Sequence, residues 1–117
     1  MMQSVSTYID HTNLSQIATK PDIENLCKEA IENNFASVCI NPVYVPLASV
    51  LLNGKYPKVC TVVGFPLGAD STEMKFAESR YLTHQGAEEL DMVINIAAIK
   101  EGETGLVKNE IVKIVDA

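Results

Sequence analysis

Apolar residues along this chain recur with two alternating periods. Short runs alternate every second residue and read as strands, while longer runs space their apolar positions three or four apart and read as helices. Residues 8–12 alternate, with Tyr8, Asp10 and Thr12 on one face and Ile9 and His11 on the other. Thr19 then caps a helix that has Pro21 and Asp22 in its first turn and Ile23, Leu26, Cys27, Ala30 and Ile31 along one side. Residues 35–41 form a second strand, in which Val38 and Ile40 face one way and Ser37, Cys39 and Asn41 the other. Pro42 and Pro46 punctuate its exit, and a short helix over about residues 46–53 stops at Gly54.

Lys58–Val63 is nearly all apolar and β-branched, the pattern of a strand buried on both faces. It runs into a Gly-Phe-Pro-Leu-Gly loop at 64–68, a weak phosphate-loop signal that lacks the P-loop spacing. The sequence Asp70-Ser71-Thr72-Glu73 opens a third helix, which reaches about Gln85 and stops at Gly86. Residues 86–95 give a fourth strand, with Leu90, Met92 and Ile94 on one face and Glu89, Asp91, Val93 and Asn95 on the other. A loop of small residues follows, then a last helix over about 102–117 with Val107, Ile111, Ile114 and Val115 on one side. Asp91 stands out, because a carboxylate in the middle of an apolar strand is costly unless it is used. The plain alternative is a turn cap or a pair with a nearby lysine.

Strand and helix thus repeat four times without a hairpin signal, which predicts parallel strands in βα units. Such units build either an open doubly wound sheet or a (β/α)8 barrel, and a full barrel needs about 250 residues. The polar residues decide between them. Asp10, Thr12, Cys39, Asn41, Asp91 and Asn95 share one phase of their strands, mostly toward the C-terminal ends, and aliphatic residues share the other. In a barrel that phase faces the axis, below the rim that carries the chemistry. The expected fold is α/β, four βα units amounting to half of a TIM (β/α)8 barrel, with residues 1–117 forming one partial domain.

Composition narrows the partners. A net charge of -6 and 21% charged residues in 117 argue against nucleic acid and anionic membranes, both of which need clustered cations. No run has the length of a membrane span or the build of a signal peptide, so a cytoplasmic location is expected. Cys27, Cys39 and Cys60 lack any CxxC spacing, which favours free thiols over disulfides or zinc.

Five blocks in order carry a family resemblance: Tyr8 to Thr12, Ser37 to Pro42 with Tyr44-Val45-Pro46, Val59 to Gly68, Thr72 with Lys75 and Glu78, and Gly86 to Ile96. They closely resemble the first half of deoxyribose-phosphate aldolase. The resemblance implies a class I aldolase on a TIM barrel that cleaves 2-deoxy-D-ribose 5-phosphate to glyceraldehyde 3-phosphate and acetaldehyde in deoxyribonucleotide catabolism. It implies no metal and no cofactor, since the family works through a Schiff base. Asp91 matches the family aspartate that relays protons, Asp10 and Thr12 match polar site residues at the end of strand one, and Cys39 matches a thiol beside the substrate. Cys39 also reads simply as a small core residue. The chain departs from the family pattern at Asn13, Ser15 and Ala97.

The Schiff-base lysine of the family lies on a sixth strand, a second lysine on a seventh, and the phosphate loops beside them, none of which this chain contains. Of its own lysines only Lys100 is expected on the rim side, in a loop beside Glu101 that would not lower its pKa. The chain alone, read as a truncated piece, is therefore expected to lack aldol activity. Its unpaired edge strands favour a homo-oligomer. Two other readings remain: a non-catalytic module that binds a sugar phosphate or associates with itself, and a metal enzyme using Asp10, His11 and Asp91. The last is weak, because His11 falls on the helix side of its strand.

Overall fold

The computed structural model describes residues 4–117. Four strands, β1 (Asp10–Asn13), β2 (Ser37–Ile40), β3 (Lys58–Val63) and β4 (Glu89–Met92), pair in the order β1-β2-β3-β4, all parallel. Five helices connect or follow them: α1 (Lys20–Asn33), α2 (Val45–Leu51), α3 (Thr72–Gln85), α4 (Ile96–Lys100) and α5 (Thr104–Val115). Sequential parallel neighbours joined by helices are the first half of a barrel-like α/β fold, as the repeat predicts.

The core lies between the sheet and the helices. Ile23, Leu26, Cys27 and Ala30 of α1, Val45 and Ala48 of α2 and Leu82 of α3 pack against Val38, Ile40, Val59 and Val63 of the strands. Burying each aliphatic side chain of this kind stabilises the fold by about 1.5–3 kcal/mol. The opposite face carries only a small cluster of Cys39, Cys60 and Val62, with Leu14 against it. One face of the sheet is thus covered by helices and the other is open.

Local signals account for most boundaries. The carboxylate of Asp22 accepts from the Thr19 N–H at 2.8 Å and the Thr19 hydroxyl at 2.9 Å, which starts α1. Ser71 accepts from the Met74 N–H at 3.2 Å to start α3, and Gly86, at φ 116°, ends it in the left-handed conformation.

Three expectations need correction. Tyr8 lies in a 3-10 turn (Val5–Tyr8) rather than in β1, because Ser4 caps that turn and the Ile9 N–H closes it on the Ser6 carbonyl. The segment expected as a small-residue loop contains α4, nucleated by the Asn95 side chain, which accepts from the Ala98 N–H at 3.0 Å. The buried side of α5 is Val107, Glu110 and Ile114, whereas Val115 is exposed and Ile111 is 42% exposed. A glutamate stands where the pattern predicts an aliphatic residue.

Candidate active site

Parallel register fixes how the open face is laid out. Thr12, Cys39, Cys60 and Glu89 are successive register partners and form one row across all four strands. One step toward the N-terminal ends lie Asp10, Ser37 and Lys58; one step toward the C-terminal ends lie Val62 and Asp91. Asp10, Thr12, Glu89 and Asp91 are exposed, while Cys39 and Cys60 are buried in the floor. The four residues singled out as a site, Asp91, Asp10, Thr12 and Cys39, therefore share one surface.

Hydrogen bonds show how each is held. The Ser37 hydroxyl donates to Asp10 Oδ1 at 2.7 Å, which anchors that carboxylate across the strand pair. The Thr12 hydroxyl donates back to the Asp10 carbonyl at 2.8 Å and so lies along its own strand. Cys60 holds the Cys39 thiol below the usual thiol range through a hydrogen bond, against the opposing effects of burial and of the negative charges on Asp91, Asp10 and Glu89. The same bond, together with burial, pushes the Cys60 thiol up. Three carboxylates thus share the sheet face that carries the thiol pair.

Asn41 and Asn95 do not join this surface, although strand alternation predicts it. The Asn41 amide donates to the Ser15 carbonyl at 3.1 Å and ties down the loop after β1, while Asn95 caps α4. His11 lies on the helix side, with its ring 4.9 Å from that of Phe35 and Nε2 3.4 Å from Glu29 Oε1. No group of three or more metal-ligating side chains occurs among the described residues. A cleft of about 240 Å³ lies elsewhere, lined by residues that include Pro42, Pro46 and Tyr81. An open sheet face has no far wall to enclose a cavity.

Behind the rim sits a group that the sequence pattern does not single out. Lys75 on α3 is fully buried, and its Nζ lies 3.0 Å from Glu110 Oε1 on α5. Glu110 also accepts from the Thr72 hydroxyl at 3.0 Å and from the Asn95 N–H at 3.2 Å. Glu78 accepts from the Gly64 N–H at 2.9 Å. The loops that leave β3 and β4 are both fastened through α3 and α5. Thr72, Lys75 and Glu78 stand out in the sequence only as one block of the family resemblance, and Glu110 lies 35 residues beyond Lys75 and leaves no local trace.

The profile of the DeoC/LacD family aldolases matches residues 4–117. The chain belongs to this family. Among curated relatives, the deoxyribose-phosphate aldolase of Thermococcus gammatolerans is 51% identical over 113 residues, covering 95% of this chain and 50% of that protein. That of Clostridium botulinum (strain Langeland) is also 51% identical over 113 residues, covering 97% of this chain and 53% of that protein. The chain spans about half the length of these family members.

Solved aldolase structures confirm the family fold. A putative deoxyribose-phosphate aldolase from Coccidioides immitis superposes with a TM-score of 0.91 at 40% identity, over 94% of this chain and 44% of that one. A tetrameric deoxyribose phosphate aldolase from Aeropyrum pernix gives 0.75 at 35% identity, over 92% and 48%. No described helix is long and apolar enough to cross a membrane.

Proposed function

We propose that this aldolase-family chain supplies one wall of a site for reversible cleavage of 2-deoxy-D-ribose 5-phosphate to glyceraldehyde 3-phosphate and acetaldehyde through a lysine Schiff base. The observation that carries the reading is Asp91, exposed on the open face one step beyond the Cys39–Cys60 row and in the negative field shared with Asp10 and Glu89. In this role the Asp91 carboxylate stands beside the reacting amine and passes protons to and from it through water. Asp10 and Thr12 line the substrate side, and Cys39 forms its floor. The chemistry calls for no metal or cofactor, and the substrate is a small sugar phosphate or aldehyde rather than nucleic acid or membrane.

The amine is the part for which this chain offers no candidate. Lys75 is locked in its ion pair behind the sheet, Lys58 lies at the N-terminal end of β3, and Lys100 is exposed in the last turn of α4. A Schiff-base lysine needs a desolvated apolar pocket or a cationic neighbour; Lys75 is buried but faces the Glu110 carboxylate, and Lys58 and Lys100 are exposed. The chain alone is therefore expected to be inactive. Borohydride reduction with acetaldehyde, read by mass spectrometry, should leave its lysines without a stoichiometric ethyl adduct, and one fully labelled lysine would overturn that reading.

Joining the second half of the Thermococcus relative after Ala117 should restore cleavage. In that fusion Asp91→Asn should lower kcat by about 10²–10⁴, and an unchanged kcat would remove Asp91 from the mechanism. The unpaired edges of β1 and β4 favour a homo-oligomer in the cytoplasm. A single monomeric species in light scattering at micromolar concentration would count against it.

A further inference from the structure

Cys39 and Cys60 are direct register partners on adjacent parallel strands, on the same open face of the sheet, and they pack together with Val62. Neighbouring strands run about 4.8 Å apart, and disulfides span Cα separations of about 4.4–6.8 Å. The spacing of register partners on neighbouring strands therefore falls within the Cα span that a disulfide bridges. We propose that Cys39 and Cys60 form a reversible two-electron redox site, closed to an intramolecular disulfide by peroxides and reopened by small thiols.

The pairing gives each sulfur a separate role. Cys39, whose thiol is held below the usual range by its Cys60 neighbour, is the attacking group, while the Cys60 thiol is pushed up and its Sγ donates to the Thr61 carbonyl at 3.8 Å. It attacks one peroxide oxygen, breaking the O–O bond to give a Cys39 sulfenic acid and hydroxide, which takes up the proton that Cys39 released. The Cys60 sulfur then attacks Cys39 Sγ. An S–S bond forms, the S–O bond breaks, and the hydroxyl leaves as water with the Cys60 proton. Two thiols are oxidised and one peroxide is reduced to two waters.

Cys27 serves as an internal control. It lies in the core between α1 and the sheet, and burial pushes its thiol up to about 11. The inference does not depend on the aldol reaction, because its readout is thiol chemistry.

The test treats the folded chain with hydrogen peroxide, counts thiols after denaturation and maps the peptides. The expected product has one thiol left of three, has lost two hydrogens in mass, carries a Cys39–Cys60 cross-linked peptide and is restored by dithiothreitol. Cys60→Ser should stop at a Cys39 sulfenic acid trapped by dimedone, and Cys27→Ala should still close the bond. Retention of all three thiols, cross-links through Cys27, or bonds between chains would each overturn the proposal.

Discussion

Charge removal at the Lys75–Glu110 pair tests the packing of α3 on α5 most directly. At 3.0 Å, and with an effective dielectric of about 20, the attraction between the two charges is about 5–6 kcal/mol. Dehydrating both ions costs several kcal/mol each, so the pair as a whole adds little. Breaking it is another matter. Lys75→Met leaves the Glu110 carboxylate with only the Thr72 hydroxyl and the Asn95 N–H, and Glu110→Gln leaves a buried ammonium with no opposite charge. Each single variant should lose about 3–5 kcal/mol.

The double variant Lys75→Met/Glu110→Gln removes both charges and keeps an amide oxygen for Thr72 and Asn95. It should lose only about 2 kcal/mol, the scale of an imperfectly satisfied buried amide. Urea unfolding followed by circular dichroism reads all three. A double variant more stable than either single is the signature of a buried pair. If both singles stay within about 1 kcal/mol of the parent, or the double simply adds their losses, the clasp is not the buried pair described above.

Three further outcomes are expected. Gly68 has φ 67°, and a Cβ there would run into the Ile94 carbonyl and the Val93 side chain; Gly68→Ala should therefore lower the urea midpoint by the equivalent of about 2–3 kcal/mol, and a neutral result would mean that the two loops are not in contact. Asn95→Ala removes the cap of α4 and should cost about 1 kcal/mol, with faster hydrogen exchange at the Ala98 amide; unchanged exchange there would argue against the cap. The Thr19 N–H and then the Thr19 hydroxyl hold Asp22 below its ordinary value of 3.8, so its contribution is present above that value and fades as pH falls through the lower folded value. Asp22→Asn should accordingly flatten the acid limb of a melting-temperature-against-pH curve, and an unaltered limb would refute the capping role.

How much of this could be read from sequence depended on how local each signal was. Lys58–Val63, the Ser71 cap and the Gly86 stop are set by neighbouring residues, and the structure reproduces them. The half-barrel follows from the repeat and from which strand phase is polar. Tyr8 was misplaced because alternation continues into a turn that Ser4 caps from outside the pattern. A five-residue helix such as α4 is too short for periodicity to reveal, although Asn95 three residues ahead of Ala98 was a usable cap signal. Glu110 could not be read at all, because its partners are on α3 and on the loop after β4.

The chain treats its acidic residues in two opposite ways, and the contrast bears on what the open face is for. Inside the helix layer Glu110 meets Lys75, and the other acid–base contacts among the described residues join His11 to Glu29 and Lys113 to Glu73. Asp10, Glu89 and Asp91 take part in none of them, though they share one face with the thiol pair. Nothing in the folding of this half demands three carboxylates there, since a sheet face is more simply finished with neutral polar residues. Cations brought to that face would offset its negative charge, and two copies apposed face to face would double it instead. The homo-oligomer proposed above would therefore form through the strand edges and helices, and the acidic face suits the amine that the proposed Schiff-base mechanism calls for.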